Sequence, residues 1–199
     1  MQREKEQAIF KKERIRAERK IAAGQGEIEK AKRTEADFKR DLEYINSYNG
    51  AKATLLLNLP QASTEEVGRE LHHIAKTYRN GAYGTVGTYA GLNLLVHSEY
   101  NMDGTFDRNT FFVEGISGLK YRCGLSGALP LGFVESAQYP HGALSKLPSL
   151  IEKQQKAVER IESEIPTLQK IVCRQWSKTD ELSRLKQECK ELQHRIDES

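Results

Sequence analysis

The chain has 199 residues, 38% apolar and 30% charged, with a formal net charge of +3 from 31 basic and 28 acidic side chains. So small an apolar share, with charges of mixed sign, suits long helices that bury one stripe, and it excludes a histone-like polycation. Three cysteines without a CxxC pair exclude a disulfide scaffold and supply too few ligands for a zinc site, and no apolar run approaches membrane-spanning length.

The chain opens on Met-Gln-Arg-Glu-Lys-Glu instead of an apolar signal segment, and a reducing, cytoplasmic location is expected. Residues 1–49 read as a helical arm. Phe10, Ala17, Ile21, Ile28, Ala31, Phe38, Leu42 and Ile45 fall on one stripe of 3-4 spacing, which asks for a partner helix. Gly24 and Gly26 interrupt it. Without proline or asparagine they make a poor turn, so one bent helix is favoured over an antiparallel pair. Lys11, Lys12, Arg14, Arg16, Arg19 and Lys20 form a basic run suited to phosphates; Glu13 and Glu18 make an ion-paired, solvated face the alternative. Asn46, Ser47, Asn49 and Gly50 are expected to end the arm.

Residues 50–141 read as a β-rich core. Ala51 to Leu59 predicts a strand, closed by Pro60. Ser63, with Glu66 three residues on, has the spacing of a capping box, and predicts a helix over 64–79 with Val67, Leu71, Ile74 and Ala75 inward. His72 and His73 are adjacent and point apart, unlike a metal pair. Tyr83 to Ser98 predicts a long strand or hairpin with a turn near Gly87; Val86, Tyr89, Leu92, Leu94 and Val96 are core candidates. The series Gly81, Gly84, Gly87 and Gly91 lacks both GxGxxG and a Gly-Lys-Ser/Thr ending, so it is no phosphate loop. Asn101-Met102-Asp103-Gly104 predicts a turn, Thr105 to Val113 a strand, and Ser117-Gly118 a further reversal. Lys120 to Leu125 predicts the next strand, with Tyr121 and Cys123 on one face, and Leu131 to Val134 a last short one.

Residues 142–199 read as a second arm pairing with the first. Pro148-Ser149 followed by Glu152 predicts a helix start, and Leu147, Ile151, Val158, Ile161, Ile165, Leu168 and Val172 keep 4-3 spacing. Pro166 is expected to kink that helix or to begin another. A boundary near Trp176 to Asp180 precedes Leu182, Leu185, Cys189, Leu192 and Ile196, which resume the stripe. The two arms are expected to satisfy each other within one chain. Together the elements predict an α+β fold: a small curled antiparallel sheet with one packed helix, flanked by long amphipathic helices forming a coiled-coil-like arm.

The helical lead-in ending Asp41-Leu42, the helix Glu65 to Lys76, and Val86-Gly87-Thr88-Tyr89-Ala90-Gly91-Leu92-Asn93-Leu94 together resemble a known arrangement. Tyr121 to Gly124, Gly142-Ala143-Leu144, Leu147, Ile151 and Leu168, and the closing Leu182, Leu185 and Leu192 extend it. The order is similar to the carboxy-terminal region of helicase and adenine-specific DNA methyltransferase proteins of phages, plasmids and conjugative elements. That family has Gly-Asn and an arginine where this chain has Gly142-Ala143-Leu144, and Pro-Phe where it has Gln175-Trp176. Neither a helicase phosphate loop nor a Pro-Pro-Tyr adenine-binding motif is present, so the resemblance implies an accessory, target-handling region.

No residue is assigned to catalysis, to a metal or to a cofactor. The expected function is a non-enzymatic interaction module of a phage or mobile element, binding nucleic acid or a nucleic-acid-processing protein complex. Its contacts would come from the basic run of the arm, from Lys120, Tyr121 and Arg122, and from Tyr89. An inhibitor of a host defence nuclease and a structural coiled-coil adaptor are the alternatives. A metal-dependent nuclease would need Asp103, Asp107, Glu114 and a histidine such as His97 to converge. A monomer is expected, with a homodimer through the arms as the alternative.

Overall fold

The computed structural model describes residues 2–48, 55–124 and 129–197. The chain divides into two compact units: residues 32–155, and residues 1–31 together with 156–199. The first long helix and the fourth run through both.

The larger unit is built on a five-stranded antiparallel meander: β1 (Leu55–Leu56), β2 (Gly84–Tyr89), β3 (Leu92–Tyr100), β4 (Phe106–Glu114) and β5 (Lys120–Arg122), paired in that order. One face of the sheet is covered by α2 (Thr64–Thr77), α3 (Phe133–Leu144) and the end of α1 (Gln2–Ser47). Leu94, Val96, Phe111, Val113, Tyr121 and Cys123 point into that core, where they meet Phe38, Val67, Leu71, Ala137 and Leu144. The fold class expected from the residues is the one observed.

Local chemistry sets α2. Ser63 Oγ accepts from the Glu66 amide while the Glu66 carboxyl accepts from the Ser63 amide, the reciprocal capping box. Gly68 lets α2 approach α3, since a Cβ there would run into the Phe133 carbonyl.

Two strand expectations are corrected. The β2–β3 reversal lies at Ala90-Gly91, both with positive φ (48° and 74°), and not at Gly87. Gly87 stays in the strand, next to a bulge at Val86. Residues 131–134 form no strand; they lead into α3. Ser136, Ala137, Pro140, Ala143 and Leu144 are buried on one side of that helix, a 3.6-residue period that Pro140 and Gly142 masked. Of the expected first strand, Leu55–Leu56 is strand and residues 57–59 are not, while residues 51–54 lie outside the described residues, as do Asn49, Gly50 and Leu125.

In the smaller unit the glycines do not divide α1, which runs unbroken from Gln2 to Ser47. It faces α4 (Leu147–Cys173), which continues through Pro166, and α5 (Thr179–Asp197), which follows the boundary at Trp176. Gly24 sits close to Ile161, and a Cβ there would lie 3.0 Å from its Cγ2. Ion pairs Arg3–Glu181 (3.1 Å), Glu6–Lys178 (3.2 Å) and Glu4–Lys186 (3.3 Å) set α5 antiparallel to the start of α1. The two stripes meet as far as Leu182, which is buried. Beyond it Leu185, Leu192 and Ile196 are exposed, so contact between the two stripes ends at Leu182. No helix among the described residues is long and apolar enough to cross a membrane.

Candidate nucleic-acid interface

On α1 the six expected cations Lys11, Lys12, Arg14, Arg16, Arg19 and Lys20 are all exposed. Arg14 is tied to Glu18 one turn on, at 3.0 Å. Lys11, Lys12, Arg16, Arg19 and Lys20 have no carboxylate partner among the described residues. At 3.6 residues per turn, Lys12, Arg16, Arg19 and Lys20 share an arc of about 100°. The buried Ala17 and half-buried Phe10 and Ile21 lie on the opposite side. The apolar stripe therefore fixes where the cations point: packing α1 turns them to solvent as a set.

The outer face of the sheet carries the second expected patch. Strand alternation sends Lys120 and Arg122 outward and Tyr121 inward, so the three cannot act on one surface. Tyr121 is a correction: it is 6% exposed and its hydroxyl donates to Asp41. Burial, and then that hydrogen bond, raise its phenol well above the usual range. Tyr89 is a second correction. It closes β2 on the core side, also 6% exposed, and burial raises its phenol too.

The aromatics that do line the outer face are others. Tyr83, 48% exposed, lies 4.8 Å from the His97 ring and meets Phe112 edge-on at 5.4 Å; Lys120 Nζ is 5.0 Å from its centroid. The cations around this platform are already balanced. Lys120 pairs with Glu114 (3.2 Å), Arg122 with Glu99 (3.3 Å) and Arg108 with Glu99 (2.9 Å). The Glu99 carboxyl is held below its ordinary range by the Thr110 hydroxyl first and by Arg108 and Arg122 after it. A period-2 count through β4 could have found Phe112, whereas Tyr83 precedes β2 and reaches this face only through the bulge at Val86, which a period-2 count does not show.

The side chains that a nuclease reading needs do not converge. Asp103 accepts from the Thr105 amide (2.9 Å) and hydroxyl (2.6 Å) inside the β3–β4 turn. Glu114 lies at the other end of that hairpin, opposite Asn93. Eight or so residues at roughly 3.4 Å each separate them. Asp107 is engaged by Arg108. One dyad has a catalytic look: His72 Nε2 lies 3.0 Å from Ser136 Oγ. It is a clasp between α2 and α3, for Ser136 is fully buried and its hydroxyl donates to the Pro130 and Gly132 carbonyls.

A buried carboxylate with three hydrogen bonds was missed as a site. Asp41, fully buried on the inner side of α1, accepts from the Ser117 amide (2.9 Å), the Ser117 hydroxyl (2.6 Å) and the Tyr121 hydroxyl. Gly115 leaves room for its carboxyl, because a Cβ there would strike it. The signal was an acid on the apolar face, three residues after Phe38 and next to Leu42.

Residues 39–144 match the sequence family described as Domain of unknown function (DUF8438), a span of more than half the chain. The chain belongs to this family. No curated protein and no solved structure matches it. The DUF8438 span begins two residues before Asp41 and ends on Leu144, the last residue of α3, so it takes in the Asp41 cluster and the whole described sheet. The basic run Lys11–Lys20 lies outside it.

Proposed function

We propose that the chain is a non-enzymatic interaction module that binds nucleic acid, or a nucleic-acid-processing complex, through the basic face of α1. One observation carries this reading. Lys12, Arg16, Arg19 and Lys20 share one exposed helix face without a carboxylate partner among the described residues, whereas Lys120, Arg122 and Arg108 are each ion-paired. Unpaired cations on successive turns attract a phosphate backbone without having to give up a partner first. In the setting implied by the resemblance to mobile-element helicase and methyltransferase proteins, this is an accessory grip acting in the cytoplasm. The machinery it holds would include a host defence nuclease.

Fluorescence anisotropy with labelled single-stranded and duplex oligonucleotides tests it. Four phosphate contacts predict a duplex affinity that falls on the order of 100-fold between about 50 and about 200 mM salt. The combined variant Lys12→Glu, Arg16→Glu, Arg19→Glu removes binding, while Lys120→Glu changes it little. Binding that survives the triple reversal, or none even at the lowest salt, overturns the proposal.

A further inference from the structure

α5 carries Leu182, Leu185, Cys189, Leu192 and Ile196 at alternating spacings of three and four. Their environment changes along the helix. Leu182 is 7% exposed against the start of α1, Leu185 is 37%, Leu192 55% and Ile196 68%, and Cys189 between them is exposed. Beside Leu185 and Cys189 runs an open groove of about 680 Å³, whose other walls include Arg3, Glu4, Lys186 and Lys190. The helix thus presents a hole at one end and uncovered aliphatic side chains at the other.

The geometry points to a second copy of this chain as the occupant, with α5 pairing against its own antiparallel image. In that arrangement Leu185 meets the partner's Ile196 and Cys189 meets the partner's Leu192, each contact repeated by the two-fold axis. The four exposed positions make four layers over about 17 Å. Ile196 fills the groove beside the partner's Leu185. The flanks select the orientation. Glu188 precedes Cys189 and Arg195 precedes Ile196 on the same edge of the stripe, so antiparallel pairing places each Glu188 beside the partner's Arg195. Among the described residues Glu188 pairs with Arg184, at 3.4 Å and largely in water, a pair that exchanges readily. A parallel pair would need the Leu182 layer, already covered, and would set Glu181 against Lys186, which α1 engages through Arg3 and Glu4.

So short a seam buries less than a permanent dimer does, and the association is concentration-dependent. Sedimentation velocity of the full chain across the micromolar range reads it directly. The wild type shifts from monomer toward dimer, and Leu192→Glu stays monomeric. Glu188→Arg and Arg195→Glu each weaken self-association by about tenfold or more through like-charge contacts. An equimolar mixture of those two single variants regains the dimer, because each supplies the charge that the other needs; helical circular dichroism checks that both stay folded. A wild type that remains monomeric, or single reversals that dimerise as it does, overturns the inference.

Discussion

Asp41 holds together three pieces distant in sequence: α1, the Gly115–Gly118 turn and β5. A buried carboxyl is costly unless its lone pairs are filled, and here both oxygens accept hydrogen bonds. Asp41→Asn keeps the shape but turns an amide N–H toward donors. We expect it to lower unfolding stability by about 1–3 kcal/mol in urea titrations. Tyr121→Phe removes one donor and costs about 1 kcal/mol. The double variant costs less than the sum of the two, as befits groups in contact. Additive losses would mean that the cluster does not act as a unit.

Among the elements, α1 is the most exposed to local propensity. Each glycine within it weakens the helix by about 1 kcal/mol relative to alanine. The two glycines differ in surroundings: nothing lies within 4 Å of a Cβ at Gly26, whereas one at Gly24 presses on Ile161. Gly26→Ala therefore raises the thermal midpoint, by up to about 1 kcal/mol of stability. Gly24→Ala gains less or loses, because a helix contact must open by a few tenths of an ångström. Equal effects in a thermal melt would show that α1 and α4 do not approach at that point. The helix ends were legible by the same local logic: the Ser63–Glu66 box and the Trp176 boundary lie where sequence spacing puts them. The Ala90-Gly91 turn and α3 were not, since Ala90 carries no turn signal and Pro140 reads as a breaker.

Over the whole molecule, the ion pairs and buried phenols set a window of pH. Glu99, Glu114 and Glu35 sit below their ordinary 4.5, through Thr110, Asn93 and Lys39 respectively before other causes. A carboxyl lowered on folding adds stability above its unfolded value, and that stability is lost as pH falls through the folded one. Tyr121 is raised above its ordinary 10.0 by burial, and Cys123 is pushed from 9.0 up to about 12 by the same cause. Their neutral forms add stability that is full below the unfolded values and is lost as pH rises toward the folded ones. Stability is thus expected to plateau between about pH 5 and about pH 9 and to fall on both sides. Glu99→Gln flattens the acid limb and leaves the alkaline limb in place; an unchanged acid limb in thermal melts across pH would contradict this assignment.

The sequence by itself determined what depends on neighbours along the chain. Helical periodicity, the capping box, the Asn101–Gly104 turn and the mixed-sign charge were enough for an α+β chain with long amphipathic arms and for the basic run on α1. Tertiary structure alone decided which faces those elements show. Packing of the sheet turned Tyr121 and Tyr89 inward, drew Asp41 onto Ser117, and left Tyr83 and Phe112 outside, while in the smaller unit the start of α1 covers α5 only as far as Leu182. The reason is physical: spacing fixes the period of a stripe, but a face becomes buried only when an element far along the chain comes to lie against it.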